Sequence, residues 1–305
     1  MSDAVRQRWP EMRVVHLPNY DRLESELPDT QIFVGYSIRP NQLPWARQLK
    51  WIHSTAAGVA QLTYSALRES RILVTNASGV HSIPIAEHVI GMMLSLSRKF
   101  PDAVRHQQNH RWAQQEIWDA KPRPGELHGA VLLLIGLGAV GRALRWRLEG
   151  LGMQVLAYDP YAEDATSSLE NLLAGSDVVS MHAPVNPETA GMIGADQFAA
   201  MRDGVVFINT ARAQLHDTDA LVAALASGKV GAAGLDHFVG ENLAIDHPLT
   251  GFANVVLTPH IGGATFNTEA NHSLTVAEDL ERLLNGGTPL HIVNPEVLSG
   301  DRASR

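Results

Sequence analysis

The stretch that decides the fold is VLLLIGLGAVGRALRWRLEGLGMQVLAYD, residues 131–159, which predicts a strand, a tight turn, a helix and a second strand. Val131 to Ile135 is apolar without polar alternation, as expected for a parallel strand that is covered by helices on both faces. Apolar residues then recur at helical spacing as far as Leu151, where neighbouring glycines end the helix. The stretch therefore predicts the central unit of an α/β fold.

Three glycines follow the first strand in G-x-G-x-x-G spacing. Gly136 permits a tight turn, Gly138 lets a pyrophosphate approach the backbone, and Gly141 lets the helix pack close to the strand. The phosphates would lie on the helix N-terminus. The spacing alone is weak evidence for a nucleotide site, because a chain with 25 glycines in 305 residues will contain it somewhere by chance. Its place between a strand and a helix favours dinucleotide binding over a merely structural turn.

The second strand ends in Asp159, 18 residues after Gly141 and close to the roughly 20-residue offset of a ribose-binding acid. A carboxylate there can accept hydrogen bonds from both hydroxyls of an adenosine ribose and would repel a 2′-phosphate. No arginine or lysine closely follows it. We therefore expect NAD as the cofactor, with NADP the less favoured alternative.

Composition limits the class of protein. The 24 basic and 32 acidic residues give a net charge of −8, which argues against nucleic acid or an anionic membrane as a partner. The chain has no cysteine, and its 14 histidines show no convincing ligand spacing, so we expect no metal. The N-terminus lacks a signal pattern, and no apolar segment reaches the roughly 18 residues that span a bilayer. A cytoplasmic protein is the expectation.

Short strand candidates alternate with helical patterns along the chain. Before residue 98 they are Met12–His16, Gln31–Gly35, Trp51–Ser54 and Arg71–Thr75, and after Asp159 they are Asp177–His182, Val205–Thr210, Val230–Asp236 and Val255–Pro259. The alternation predicts two α/β domains with parallel sheets, Rossmann-like and flavodoxin-like, and an active site in the cleft between them. A mostly buried helix is predicted over Pro84–Lys99.

We expect a discontinuous substrate-binding domain, residues 1–98 and 268–305, and an NAD-binding Rossmann domain, residues 99–267. A last short strand, His291–Val293, is predicted to return to the first domain. The loop STAAGV, residues 54–59, follows the third candidate strand, where open α/β sheets place ligands. A ligand-binding loop and an ordinary small-residue turn both fit it.

Polar residues stand at or just past the ends of the four later strands, namely His182, Arg212, Asp236 and His260. In a parallel sheet those ends lie on one edge, beside the bound dinucleotide. Hydride that reaches a carbonyl carbon leaves negative charge on the oxygen, which needs a proton donor and a nearby cation. His260 can supply the proton, and Arg212 can bind a substrate carboxylate as a bidentate fork. Taken singly, a packed histidine and a surface arginine fit equally well.

The motifs ELHGAVLLLIGLGAVG, HAPVNPET, INTAR, GLDHF-x-x-E and LTPHIGGAT follow one another in the chain. With them the sequence resembles the D-isomer-specific 2-hydroxyacid dehydrogenases, which include phosphoglycerate dehydrogenases and glyoxylate and hydroxypyruvate reductases. The resemblance covers almost the whole chain. It implies NAD-dependent interconversion of a 2-keto acid and a D-2-hydroxy acid, and a homodimer formed through the nucleotide domain.

The resemblance also implies roles for single residues. Arg212 would bind the substrate carboxylate and carbonyl, His260 would be the general acid/base, and Glu241, alone an ordinary loop acid, would be its acidic partner. The remaining assignments are the cofactor contacts Ala139, Val140, His182, Pro184, Thr210, Ala211 and Asp236, and the substrate-binding backbone of Ala57 and Gly58.

The chain departs from the family pattern at Ala60, Ala213, His237 and Asn242. None of these removes a catalytic group, but they leave the substrate open. Glu241 disfavours a formate dehydrogenase, because formate enzymes carry an amide there. By the same resemblance, no room follows Leu298 for an appended regulatory domain, so we expect no feedback control by an amino acid. The alternative is a dinucleotide-sensing, co-repressor-like binding protein of the same fold without significant turnover.

Overall fold

A computed structural model of the chain describes residues 2–165 and 168–298. The chain divides into two compact units, Met1–Val80 with Thr265–Arg305, and His81–Ala264. Residues 299–305, the end of the predicted 268–305 segment, lie outside the described residues. Within the described ranges, no helix combines the length and the apolar character that crossing a bilayer requires.

The elements are named in chain order. The strands are β1 Ile32–Gly35, β2 Trp51–Ser54, β3 Leu73–Asn76, β4 Val131–Ile135, β5 Gln154–Tyr158, β6 Val178–Met181, β7 Val205–Asn209, β8 Val230–Leu235 and β9 Val255–Leu257. The α-helices are α1 Ser2–Arg8, α2 Leu23–Glu26, α3 Ser65–Arg68, α4 Ser82–Ser97, α5 Phe100–Gln108, α6 Gln114–Trp118, α7 Ala139–Gly150, α8 Leu169–Gly175, α9 Ala195–Ala200, α10 Thr218–Ser227 and α11 Thr268–Leu284.

The first unit is built on a three-stranded parallel sheet in the order β1-β2-β3. The predicted return of the chain near His291 is confirmed, because Ile292 bridges Thr75 of β3 in antiparallel pairing. The contact is an isolated bridge, so the predicted strand His291–Val293 does not form. The predicted strand Met12–His16 is wrong: in the described chain this segment pairs with no strand, and Val15 is 43% exposed. Its alternating residues lie along the surface instead of pairing at a sheet edge.

The second unit carries a six-stranded parallel sheet in the order β5-β4-β6-β7-β8-β9. Every strand predicted between residues 131 and 259 is present, with ends that differ by one or two residues. The chain leaves β4 for β5 on one side and then crosses to β6 on the other side. The crevice beyond the carboxyl ends of β4 and β6 is therefore the switch point at which open α/β sheets bind ligands.

Two hydrophobic clusters cover the faces of this sheet, one built around Leu133 and Phe207 and the other around Leu132 and Leu134. Helix α4 joins the second cluster through Ala86, Val89, Met92, Met93 and Leu96. Because α4 packs on the nucleotide sheet, the second unit begins at His81, ahead of the domain boundary predicted at 98/99. The predicted cleft between the domains stays a prediction.

Candidate active site

The glycine turn after β4 has the geometry that its sequence predicts. Gly136 has a φ of 102°, and a Cβ there would lie 2.6 Å from backbone atoms of both His182 and Ala183, so the loops after β4 and β6 touch. A Cβ on Gly141 would overlap the carbonyl oxygen of Gly136, which explains the close approach of α7. A Cβ on Gly138 would meet nothing within 4 Å. Space for a phosphate therefore adjoins the start of α7.

Asp159 is tied to this turn. Its Oδ2 atom accepts a hydrogen bond of 2.8 Å from the amide of Leu137, and its Oδ1 atom accepts one of 2.9 Å from the amide of Tyr161. The end of β5 is thereby fixed beside the glycine turn. A carboxylate in this position still has free lone pairs for a ribose hydroxyl.

Two arginines of α7 lie near the same loop, but an acid already engages both. Asp164 accepts a bidentate pair from Arg142, at 3.0 and 3.1 Å, and a third hydrogen bond of 3.0 Å from Arg145. The hydrogen bond from Arg142 is the main reason that the pKa of Asp164 is lowered. Folding brings these two guanidinium groups close to the end of β5. The residues that directly follow Asp159 in the sequence do not predict this.

The turn after β7 is built by Asn209, which is 1% exposed. Its side-chain amide nitrogen donates a hydrogen bond of 2.8 Å to the carbonyl oxygen of Arg212 and lies 2.9 Å from Nδ1 of His216. Its Oδ1 atom accepts a hydrogen bond of 3.0 Å from the backbone amide of Ala211. Thr210 places a buried hydroxyl in this turn that has no hydrogen-bond partner within the described residues. A buried hydroxyl without a partner is consistent with a ligand that bonds it at the end of the strand.

His182 and Pro184 follow β6 on the other side of Gly136. The ring of His182 lies 2.8 Å from the Ser180 hydroxyl through Nε2, and burial lowers the pKa of His182 to about 4. The imidazole is therefore uncharged at neutral pH. Pro184 is exposed at the same strand end. Together with the open glycine turn and the orphan hydroxyl of Thr210, these residues fit a dinucleotide.

Glu241 and His260 form a hydrogen-bonded pair past the ends of β8 and β9. The Nδ1 atom of His260 lies 2.8 Å from Oε2 of Glu241, and the two side chains are 50% and 54% exposed. Burial alone would raise the pKa of Glu241, but the hydrogen bond and the charge of His260, with that of His237, outweigh it and lower this pKa. The carboxylate is thus held ionised beside the ring.

Both members of the pair also have a left-handed backbone, with φ values of 55° for Glu241 and 54° for His260. Residues other than glycine adopt this region rarely, and each instance costs about 1–3 kcal/mol. Such strain persists where the surrounding structure enforces it, and it clusters at functional sites. The backbone therefore supplies an independent sign that these two positions are functional.

Asp236 holds the chain on both sides of His260. It is 2% exposed and accepts three hydrogen bonds from the loop after β9: 2.5 Å from the Thr258 hydroxyl, and 2.9 Å each from the amides of Ile261 and Gly262. His88 of α4 adds a contact of 3.0 Å to Thr258. The carboxylate of Asp236 thus holds the loop that carries His260, in addition to any contact with a cofactor.

His237 follows Asp236 and lies against the pair. It is 4% exposed, and its ring centroid is 3.8 Å from that of His260. Burial, then the charges of His260 and Arg212, lower the pKa of His237 to about 4. Arg212, itself exposed, therefore belongs to the same electrostatic neighbourhood. Ala213 is buried, Asn242 is exposed, and the Ala60 side chain lies outside the description.

Ala57 and Gly58 lie in the first unit, on the loop after β2. Their carbonyl oxygens accept hydrogen bonds from Asn76, at 2.7 Å, and from Gln61, at 3.3 Å. Within the described chain, the amides of Ala57 and Gly58 have no such partner. The loop is thus held by its carbonyls and leaves two donors, as an anion-binding backbone requires.

The structure brings Arg212, Glu241 and His260 into one neighbourhood at a single edge of the nucleotide sheet. Sequence reasoning missed the residues that position them, chiefly Asn209 and His88. Asn209 carries a weak signal, as an amide at the end of an apolar strand. His88 carries none, since its partner Thr258 is 170 residues away.

The sheet order, the glycine turn and the strand-end residues define an α/β protein that binds a dinucleotide at a switch point. Residues 90–262 match the sequence profile of the D-isomer specific 2-hydroxyacid dehydrogenase, NAD binding domain. The chain belongs to this family.

Relatives agree with that assignment. The D-3-phosphoglycerate dehydrogenase of Archaeoglobus fulgidus is 34% identical over 96% of this chain and 56% of its own length. The glyoxylate reductase of Thermofilum pendens is 34% identical over 83% of this chain and 77% of its own. The apo structure of Rhodotorula graminis D-mandelate dehydrogenase superimposes with a TM-score of 0.85 at 25% identity, covering 96% and 94% of the two chains. The chain spans about half the length of the phosphoglycerate dehydrogenases that it matches.

Proposed function

We propose that the protein is an NAD-dependent oxidoreductase that interconverts a 2-keto acid and a D-2-hydroxy acid. The observation that carries the proposal is the 2.8 Å pair of His260 and Glu241, held in strained backbone beside Arg212 on a dinucleotide-binding sheet. The glycine turn, Asp159 and the turn after β7 would hold the cofactor.

A bound nicotinamide supplies or accepts the hydride. In the reducing direction, Arg212 holds the substrate carboxylate and polarises the adjacent carbonyl. His260 delivers a proton from Nε2 to the oxygen as negative charge develops there. Glu241 keeps the other ring nitrogen protonated, orients the ring and stabilises its positive charge. The amides of Ala57 and Gly58 would take further substrate oxygens.

The panel that tests this function uses glyoxylate, hydroxypyruvate, pyruvate and phosphohydroxypyruvate, each with NADH and with NADPH. Oxidation of NADH with at least one of them is the expected result. The names of two relatives, a D-3-phosphoglycerate dehydrogenase and a glyoxylate reductase, refer to different acids, so the panel also narrows the substrate class. A protein that binds NADH yet oxidises it with none of the four would instead fit a dinucleotide sensor.

The choice of NAD over NADP is proposed from Asp159 and from Asp164, which already engages the nearby arginines. Replacing Asp159→Ser should raise the ratio of NADPH to NADH use by about tenfold or more, because juxtaposed like charges cost several kcal/mol. Asp196→Ser, an exposed acid elsewhere on the same unit, is the matched control. An unchanged ratio in Asp159→Ser would remove this acid from cofactor selection.

We further propose a homodimer formed through the nucleotide-binding unit. Large apolar side chains are exposed along the segment from α4 to α6, at Phe100, Val104, Trp112 and Trp118. Trp112 is 92% exposed, which is unusual for an indole without a covering surface. Sedimentation equilibrium of the wild type and of Trp112→Ser with Trp118→Ser would measure the association. A monomeric wild type would contradict it.

A further inference from the structure

We propose that His237, Glu241 and His260 form a binding site for a divalent transition metal ion of the zinc type. Metal binding by these three side chains does not depend on the dehydrogenase function. His237 is one of the positions at which the chain departs from the family pattern, so the third ligand is not a feature of that pattern.

The three side chains each offer one ligand atom, and these atoms all lie within 4.8 Å of one another. Oε2 of Glu241 is 2.8 Å from Nδ1 of His260, and Oε1 of the same carboxylate is 3.6 Å from Nδ1 of His237. A tetrahedral zinc ion with bonds of about 2.0 Å holds its ligand atoms about 3.3 Å apart. Small rotations of the side chains therefore bring the set to coordination geometry.

Nδ1 of His237 has no hydrogen-bond partner among the described residues, although the side chain is 4% exposed and faces the carboxylate. Its contact to the Glu241 carboxylate, at 3.6 Å, is longer than an ordinary hydrogen bond, so this buried nitrogen is only weakly satisfied. Glu241 and His260 are about half exposed, so an ion can reach the group from solvent and keep a water in its fourth position.

The chemistry of the ligands selects the metal. Two imidazoles and one carboxylate are found in zinc sites that have three protein ligands and leave the fourth position to water or substrate, whereas magnesium and calcium prefer oxygen ligands. Among the charged groups around His237, the carboxylates of Asp236 and Glu241 favour a cation, while Arg212 and a protonated His260 oppose it. The chain has no cysteine to offer a competing thiolate site.

One consequence rests on the proposed function. A metal bound to Nδ1 of His260 displaces its hydrogen bond to Glu241 and takes the place of the Nδ1 proton, so the ring is a neutral imidazole. Its remaining proton on Nε2 is far less acidic than a proton of an imidazolium, and metal binding would therefore suppress proton delivery. Zinc should inhibit NADH oxidation reversibly, with recovery on addition of a chelator.

The decisive experiment titrates the chelator-treated full chain with Zn²⁺ against a chromogenic competitor, and with Co²⁺ by visible absorption. We expect one saturable equivalent in the wild type and an affinity lowered by more than about tenfold in His237→Phe. Glu241→Gln, at an exposed position where folding is not at stake, should lower it as well. His16→Phe, an exposed histidine of the other unit, should not.

The outcomes separate the two proposals. Absence of saturable binding in the wild type, or an affinity that neither His237→Phe nor Glu241→Gln changes, would overturn the metal site and leave the dehydrogenase proposal standing. Metal binding in a protein that oxidises NADH with no keto acid would leave the metal site and remove the dehydrogenase.

Discussion

Each unit of the protein contains a histidine next to a carboxylate, and the two pairs differ in nearly every physical respect. In the nucleotide-binding unit, His260 and Glu241 are half exposed and 2.8 Å apart. In the first unit, His53 and Asp279 are completely buried, with Nδ1 of His53 3.9 Å from Oδ2 of Asp279. The same residue types therefore serve different purposes, and the surroundings decide which.

Burial disfavours the charged forms of the two buried residues. Burial lowers the pKa of His53 to about 4, with help from His272 and His291, and burial raises the pKa of Asp279. His53 bonds the Thr75 hydroxyl instead, at 2.8 Å. The exposed pair goes the other way, since the pKa of Glu241 is lowered. A pair that exchanges protons with a substrate needs solvent access and an ionised partner, and the pair at His260 has both.

The largest expected difference between the pairs is in turnover. Replacing His260→Gln should lower kcat by about 10²–10⁴-fold, the usual contribution of a general acid or base, and leave NADH binding intact. His53→Gln should alter stability and leave kcat per folded molecule unchanged, as should the exposed control His16→Gln. Steady-state kinetics with parallel NADH titrations measure this. Full turnover in His260→Gln would remove that residue from the mechanism.

The next effect is on the pH dependence of stability. Between pH 6.5 and about 4 the unfolded chain binds a proton at His53 that the folded chain does not, so the free energy of unfolding falls as pH falls through this window. The upper bound is about 3 kcal/mol for the full shift. His182 and His216 act in the same direction.

Urea unfolding of wild type and His53→Gln at several pH values isolates the contribution of His53, because the other histidines are common to both proteins. The variant should lose less stability than the wild type on acidification. Identical slopes in the two proteins would show that His53 is not held neutral by burial.

The smallest effect concerns backbone strain, which the buried pair lacks. His260→Gly removes the left-handed strain at φ 54° and should leave the free energy of unfolding unchanged or raise it by up to about 1 kcal/mol, while activity is lost. Lys99 also has a left-handed backbone, with a φ of 60°, and lies outside the pair. Lys99→Gly should change the free energy of unfolding as His260→Gly does, but it should keep full activity. A clear destabilisation by His260→Gly would mean that the strain is not where we place it.

The sequence predicts the frame of the nucleotide-binding unit well because its strands are buried on both faces. The continuous apolar run Val131–Ile135 coincides with β4 for that reason. Arg212 and His260 could also be predicted as site residues, because the carboxyl ends of the strands in a parallel sheet lie on one edge. The segment Met12–His16 was wrongly predicted as a strand, because alternating apolar and polar residues fit an exposed extended chain as well as a strand.

Other features of the site depend on tertiary contacts and leave no local pattern. Glu241 was assigned only by family resemblance, as it lies in an irregular loop. His237 looked like a departure of unknown effect, and only the structure places its ring against His260. The expectation of no metal rested on the spacing of histidines along the sequence. That spacing does not show that folding brings His237, Glu241 and His260 together.

The most direct test of acid–base chemistry at the exposed pair compares two variants, Glu241→Gln and Asp279→Asn. Their pH profiles of kcat/KM are measured over the range in which each variant stays folded. We expect Glu241→Gln to lower the maximum and change the shape of the profile, and Asp279→Asn to keep the profile of the wild type. An unaltered profile in Glu241→Gln, or an equal change in both variants, would contradict the claim that only the exposed pair performs acid–base chemistry.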